Sequence, residues 1–314
     1  MTSFLSEFGL VVIQTDTQHS EWLLDCHPLI REHFAKQLSG NNQKAWPAAH
    51  RRLYEYLKNG PKSEPRPTLE DLQPLFQAVT HGCQAGLYDD ALLRVYWPRI
   101  QRNDEYYCLK KLGAFDAALS AAIHFFDSSW SQPVPALAEV DRALLLSCVG
   151  NCLRALGRLA EAKESTRAGI EITLDRKDWK NGAASKGNVS ELELMMGVIT
   201  LAVRDAYQAM DLADLSGDPF QRMSKRTRLA DAMHQAGRTS DALALFREAE
   251  AMHSEWQPQY PLLYTQMGFM YCDLLLAEAE RAAWRHSVAL LRHNGIEQAK
   301  ESDRKSTRLN SSHG

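Results

Sequence analysis

The chain has 314 residues, of which 45% are hydrophobic, and a formal net charge of −3. This size allows two domains or one long solenoid with an appendage. The near-neutral charge argues against a dominant nucleic-acid or membrane surface, and no stretch approaches the roughly 18 consecutive apolar residues that a membrane span needs.

The first 58 residues predict a small separate module. Two β-rich segments, 9–14 and 21–25, flank a polar turn, and a helix follows with Pro28 at its first position. A second helix is expected over 46–57. The residues predicted to face the core from the first helix are Leu29, Ile30, Phe34 and Leu38. This order of elements suggests the end of a winged-helix module.

Residues 1–58 contain six Lys or Arg and six Asp or Glu, so no basic face stands out for DNA. Packing between neighbouring domains is therefore favoured over DNA binding. A proline-rich linker, 59–67, follows, and Thr68 with Asp71 predicts a capping box that opens the next helix. From residue 68 to about 298 the sequence predicts only helices joined by short turns.

Five glycines are each followed five residues later by an alanine. The pairs are Gly86/Ala91, Gly113/Ala118, Gly157/Ala162, Gly197/Ala202 and Gly237/Ala242. The last three recur every 40 residues, the kind of period that marks an array of helical hairpins stacked on one another. Each glycine is expected at the left-handed position that ends a first helix, and each alanine where the second helix approaches closely.

Two further patterns support the repeat. A small residue recurs twelve positions after the glycines, at Gly169, Ala209 and Ala249, where the following hairpin would pack. Between hairpins, Gly217 is expected to stop one helix, with Asp218 as N-cap and Pro219 opening the next.

A weaker sixth copy has Ala277 in place of the turn glycine, followed by Ala282. Because alanine disfavours the left-handed turn, the alternative is that residues 273–284 form one continuous helix.

Residues 303–313 read DRKSTRLNSSH, which is similar to the frame translation of a sequencing-library adapter. We therefore expect an adapter-derived tail over 303–314 and a truncated coding region. The alternative is a genuine disordered tail.

The repeat resembles the tetratricopeptide (TPR) repeat, in an elongated 40-residue form. Segments 188–194, 229–238, 242–250 and 271–277 look like the sensor region of bacterial STAND-class signal-transduction NTPases. The segment 27–34, HPLIREHF, looks like a helix of the winged-helix module that follows the nucleotide-binding domain in that class. The resemblance covers residues 1 to about 298.

This resemblance implies an all-α fold, a right-handed superhelical stack of antiparallel hairpins with a small winged-helix-like N-terminal piece. It also implies a bacterial switch protein, in which the array senses a ligand or partner and restrains an upstream ATPase. The chain has no G-x-x-x-x-G-K-[ST] phosphate loop, so it cannot hold a nucleotide in that manner. Either the coding region is a fragment that lacks the NTPase domain, or the repeats work alone.

The sequence contains none of the metalloprotease, nucleophile-elbow and dinucleotide-binding motifs, so we expect no enzyme activity. Six scattered cysteines without a C-x-x-C pair predict a reducing cytoplasm, with no metal or cofactor. Glu191 and Glu193 should point to different sides of one helix. The most basic local run comprises Arg222, Lys225, Arg226 and Arg228. It is interpreted as a solvated face or, alternatively, as a site for an acidic peptide.

Two functions remain open from the sequence. The first is a non-catalytic protein-interaction scaffold, whose concave repeat face binds a protein or peptide, with neither nucleic acid nor membrane as partner. The second is a sensor fragment of a STAND-type ATPase switch or transcription regulator. The flanking reading frame would separate them.

Overall fold

The computed structural model describes the backbone of residues 11–16, 21–41, 44–60 and 65–311. Within these ranges it describes side chains from His27 to Arg292, except that of Arg31. The chain forms two compact units, Met1–Arg158 (unit 1) and Leu159–Gly314 (unit 2).

Unit 1 begins with the predicted β-hairpin, which is confirmed. Strand β1, Val11–Asp16, pairs antiparallel with β2, Glu21–Cys26. Helices α1, Pro28–Asn41, and α2, Ala45–Asn59, follow as expected. The winged-helix assignment of this segment stays a prediction.

The core-facing stripe predicted on α1 was wrong. Leu29, Phe34 and Leu38 are 69%, 55% and 37% exposed, and Ile30 is half-buried. Helical spacing correctly places such residues on one side of a helix, but it does not say whether another element covers that side.

The second helix of this segment, α2, shares a core with α3, Leu69–Gln84. Tyr54 is fully buried, and a Cβ added at Gly82 of α3 would lie 3.0 Å from its ring. The Tyr54 hydroxyl donates a hydrogen bond to Asp90. The linker 59–67 therefore joins helices that pack on one another. The predicted capping box is confirmed, because the Asp71 N–H donates to Thr68 Oγ1 and the Thr68 N–H donates to Asp71 Oδ2.

The rest of unit 1 contains several short elements and one long helix. They are α4, Tyr88–Ala91; a π-helical segment, Leu92–Gln101; a 3₁₀ turn, Asn103–Glu105; α5, Tyr107–Lys110; α6, Phe115–Ala122; a 3₁₀ turn, Ile123–Phe125; and α7, Glu139–Ala155. The prediction of helices alone was wrong over 126–138, which is irregular and contains a β-bridge between Phe126 and Pro133. Two prolines there remove backbone donors that a helix would need.

Most of unit 2 consists of helices of nearly equal length. They are α8, Leu159–Asp175; α9, Trp179–Met195; α10, Ile199–Ser216; α11, Pro219–Gln235; and α12, Thr239–Trp256. Consecutive helices pack on one another, and α9 also packs on α11. The predicted all-α array of antiparallel helix hairpins is thus confirmed in this unit.

The repeat glycines lie at helix ends with left-handed backbone. The φ angles of Gly86, Gly113, Gly157, Gly197 and Gly237 are 73°, 63°, 75°, 74° and 77°. At Gly197 the N–H donates to Leu194 O at 2.9 Å, and the Val198 N–H donates to Glu193 O at 2.8 Å, which is the Schellman pattern. The five paired alanines, Ala91, Ala118, Ala162, Ala202 and Ala242, are fully buried. The predicted stop and start at Gly217, Asp218 and Pro219 is confirmed.

We expect Gly197→Ala to lower the free energy of unfolding by about 1–2 kcal/mol, because an L-residue resists the left-handed backbone. A Cβ at Gly197 meets nothing within 4 Å, so crowding does not contribute. Urea denaturation followed by circular dichroism measures the loss. Glu171→Ala, at an exposed position of α8, is the control and should change stability by less than about 0.5 kcal/mol. Equal stability of both variants would contradict the turn assignment.

The last helix, α13, Thr265–Ser311, packs through its first turns on α11 and α12. Ala277 and Ala282 lie inside it, so the alternative of a continuous helix over 273–284 is confirmed and no sixth turn interrupts α13. Its backbone continues through 303–311, beyond the predicted end of the array near 298. The adapter origin of 303–314 stays a prediction.

Candidate interaction surface

Two of the four cations singled out in the sequence, Arg222 and Arg226, are held by carboxylates of unit 2. Arg226 binds Asp214 with two hydrogen bonds, Nη1 to Oδ1 at 2.9 Å and Nη2 to Oδ2 at 3.0 Å. Its Nε donates to Glu248 at 2.6 Å, while Arg222 Nε donates to Asp214 at 3.0 Å. Only 9% of the Arg226 side chain is exposed. These contacts occupy Arg226 structurally, by joining α10, α11 and α12.

The other two cations, Lys225 and Arg228, turn toward α9. Lys225 is buried against Gly187, where an added Cβ would lie 3.1 Å from Nζ. Burial, with a smaller contribution from the charge of Arg228, lowers the pKa of Lys225 to about 8. Arg228 Nη1 lies 2.9 Å from Glu191 Oε1. The four cations therefore do not form one basic face, and their partner-binding role stays a prediction.

A series of polar contacts connects α9, α11 and α13, each of which occupies the first-helix position of its repeat in unit 2. Arg228 of α11 pairs with Glu191 of α9 and donates to Gln266 Oε1 of α13 at 3.3 Å. Gln266 Nε2 in turn donates to Glu191 at 3.3 Å. Because α9 packs on α11 and α11 on α13, these helices form one layer, and this chain of contacts fixes their spacing.

A buried ionic cluster, which was not predicted from the sequence, joins α8, α9 and α10. Glu193 and Asp205 are 0% and 1% exposed, and Arg167 Nη2 lies 2.8 Å and 3.6 Å from their carboxylates. Asp205 also accepts from Lys186 at 3.1 Å and Arg204 at 3.3 Å. The prediction that Glu191 and Glu193 diverge holds, since Glu191 contacts α11. The second carboxylate close to Glu193 is that of Asp205, which lies on the next helix, α10.

The two buried carboxylates titrate in opposite directions. Burial and the charge of Asp205 raise the pKa of Glu193 above its ordinary 4.5. Burial acts against ionisation of Asp205 too, but hydrogen bonds from Lys186 and Arg204 hold its pKa below the ordinary 3.8. Neither carboxylate reaches solvent, so their role is to hold the surrounding cations and helices in place.

We expect Glu193→Gln to gain stability relative to the parent as pH rises from 4.5 toward 7. With a raised folded pKa, the folded state binds more protons than the unfolded state above pH 4.5, so ionisation of Glu193 costs stability there. Removing the group removes that loss. Urea titrations across this range measure the difference. Glu171→Gln, on the surface of α8, is the control and should show no such slope; a relative loss for Glu193→Gln would contradict the assignment.

An exposed aromatic cluster lies where α12 leads into α13. It consists of Phe220, Trp256, Tyr260 and Tyr264, which are 44%, 44%, 61% and 44% exposed. Successive ring centroids are 6.2 Å apart for Phe220 and Trp256 and 6.0 Å for Tyr260 and Tyr264. The fully buried His253 lies beneath, with its ring 6.3 Å from Trp256 and 5.1 Å from Tyr264.

This cluster was not predicted from the sequence. Aromatic residues on both sides of Pro258 and Pro261 were an available signal, because prolines end helices and leave nearby rings outside the hairpin core. A surface of closely spaced, half-exposed aromatic rings is typical of protein docking sites.

Other chemistry is sparse in the described part of the chain. No group of three or more metal-ligating side chains occurs among those residues. Cys148 and Cys152 are buried free thiols on one helix. His50 Nδ1 and His81 Nδ1 are 2.8 Å apart, and burial lowers the pKa of both. No helix between residues 28 and 311, in its described residues, is both long and apolar enough to cross a lipid bilayer.

No protein-family model matches the chain, and no curated protein matches it. Two similar solved structures are of a Podosopora anserina protein described as a kinesin light chain with nearly identical TPR-like repeats, one of them a single-residue variant. The variant is 14% identical with a TM-score of 0.39, and the match covers 73% of this chain and 96% of that one. The other is 15% identical with a TM-score of 0.38, covering 74% and 98%. The hairpin architecture rests on the packing of α8 to α13 described above.

Proposed function

We propose that the protein is a non-catalytic scaffold that binds another protein or a peptide. The observation that carries this proposal is the aromatic cluster, which leaves four large rings half-exposed on one surface. Leu262, 67% exposed, lies in the same connection and enlarges the apolar area. Aromatic side chains supply large contact areas at small entropic cost and dominate binding energy at interfaces.

We further propose that the layer of first helices, α9, α11 and α13, contributes a second contact for the partner. Its Glu191, Arg228 and Gln266 side chains are already fixed by one another, so they present donors and acceptors in set positions. Preorganised groups bind with a smaller loss of side-chain freedom. Both carboxylate and guanidinium occur here, so the surface suits a partner of mixed charge better than a purely acidic peptide.

Selection of a phage-displayed library of random peptides against the full chain tests the proposal. Enriched peptides should bind the parent protein, and Trp256→Ala should weaken them at least about tenfold, as expected for an aromatic anchor. Arg247→Ala, at an exposed position of α12, is the matched control and should leave affinity unchanged. Circular dichroism of both variants checks that they remain folded. Failure to enrich any peptide, or equal effects of both substitutions, would count against the proposal.

A second candidate is the sensor part of a nucleotide-driven switch in the bacterial cytoplasm. The pairing of β1 with β2, followed directly by α1, supports it, because a strand hairpin and helix in this order resemble the end of a winged-helix module. Sequencing the gene region upstream tests this proposal. A reading frame continuous with this one and encoding G-x-x-x-x-G-K-[ST] after a strand is expected, and its absence would exclude the proposal.

A further inference from the structure

The outer side of α13 carries large apolar side chains that the described residues do not cover. Among these, which we call the apolar face of α13, Phe269, Leu276, Trp284 and Leu291 are 75%, 54%, 72% and 71% exposed. Cys272 and Val288 are also exposed. In the first turns of the same helix, Leu274 and Ala277 pack inward and are 5% and 8% exposed. The helix thus carries some apolar side chains that are covered by unit 2 and others that are not.

The repeat register shows that the first part of this face, at Phe269 and Cys272, is covered in the earlier repeats. The residues 40 positions before Phe269 and Cys272 are Leu229 and Ala232 of α11, and both are fully buried. One repeat earlier, Val189 and Leu192 of α9 are 0% and 1% exposed. In α9 and α11 the second helix of the same hairpin lies alongside, as α10 and α12. The same column becomes exposed only in α13.

The second half of α13 has the pattern of the missing second helix. Ala282 and Ala289 fall in the columns of Ala242 and Ala249, which are fully buried in α12. The second half of α13 cannot cover the first half, because the helix continues without a break through Ala277, where the earlier repeats have a turn glycine. A helix of 47 residues is about 70 Å long, so residues 282–292 extend away from the Phe269 end.

We propose that a second copy of this chain covers the apolar face, with two α13 helices lying antiparallel across a two-fold axis. The apolar residues stand at equal intervals on either side of Glu280. Leu276, Cys272 and Phe269 precede it by 4, 8 and 11 residues, and Trp284, Val288 and Leu291 follow it by the same numbers. In an antiparallel pair centred on Glu280, residues 269–276 of one copy therefore lie against residues 284–291 of the other.

In a two-fold dimer both copies contribute the same surface patch to the interface, which is the commonest arrangement in homodimers. Glu280 is exposed on each chain, so its carboxylate can turn outward to water beside the axis. The surface is distinct from the aromatic cluster, and the inference does not depend on the proposed partner binding.

Light scattering coupled to size-exclusion chromatography of the full chain tests the proposal. We expect twice the mass of one chain. Phe269→Asp should halve that mass, because it places a carboxylate in the apolar contact while altering a residue that is 75% exposed in the single chain. Leu215→Asp, at a 65% exposed apolar position of α10, is the matched control and should remain dimeric. A dimer that survives Phe269→Asp would overturn the proposal.

The thiol of Cys272 provides a second readout that separates pairing from folding back. In the parent dimer Cys272 should react slowly with a thiol reagent, and in Phe269→Asp it should react rapidly; Cys272→Ser gives the background from the other cysteines. A parent protein with the mass of one chain and a protected Cys272 would mean that 282–292 folds back on its own chain. A monomer with a reactive Cys272 would mean that nothing covers the face. Either result would overturn the dimer.

Discussion

Replacing Asp205 with alanine is expected to destabilise unit 2 by about 3–5 kcal/mol, the range found when one partner of a buried ion pair is removed. Asp205 is 1% exposed and accepts hydrogen bonds from Lys186 and Arg204. Without it, the Lys186 ammonium, whose side chain is 20% exposed, loses its carboxylate partner inside the hairpin stack. Chemical denaturation monitored by circular dichroism measures the loss.

The matched control is Asp241→Ala. Asp241 also pairs with an arginine, Arg238, at 2.7 Å, but both side chains are about half exposed. An exposed ion pair contributes no more than about 1 kcal/mol, so this variant should remain close to the parent. If the two substitutions cost the same, the buried cluster would not be what holds α8, α9 and α10 together.

Phe246→Ala is expected to cost about 3–5 kcal/mol, as truncation of a buried phenylalanine does when the cavity cannot collapse. Phe246 of α12 is fully buried in a cluster with Leu229, Met233 and Leu274, and its ring stacks on Tyr271 at 4.9 Å. The substitution therefore removes contacts to α11 and α13 together. Thermal and urea unfolding should both report the loss.

Phe220→Ala provides the control for that prediction. The residue change is identical, but Phe220 is 44% exposed in the aromatic cluster, so truncation leaves no closed cavity. We expect a loss of no more than about 1 kcal/mol. A small effect of Phe246→Ala, comparable to that of Phe220→Ala, would show that α13 is not anchored through this ring.

The repeat could be predicted from the sequence because its turns depend on local backbone chemistry. Only glycine adopts the left-handed position without strain, so Gly157, Gly197 and Gly237 mark the helix ends wherever the helices pack. The capping box at Thr68 and the junction at Gly217 are equally local. For the same reason Ala277, in place of glycine, correctly indicated the alternative of a continuous helix at the sixth position.

Features that depend on distant residues could not be predicted in this way. The exposure of Leu29 and Phe34 on α1 depends on whether another element covers them, which periodicity does not specify. The contact of Arg167 with Glu193 joins residues 26 positions apart on different helices. Spacing along one helix predicted only that Glu191 and Glu193 diverge. The aromatic cluster likewise forms from two separate connections, around Phe220 and around Tyr260.

The contact between Tyr54 and Gly82 has a mechanical consequence. The ring of Tyr54 lies where any side chain on Gly82 would stand, and its hydroxyl is tied to Asp90, while Lys58 reaches the same carboxylate at 3.2 Å. Because the Tyr54 ring packs against Gly82 and its hydroxyl is hydrogen-bonded to Asp90, α2 cannot slide along α3. A force applied to β1 and β2 would thus be transmitted through α2 to the helices around Asp90. It would not be taken up by extension of the linker 59–67.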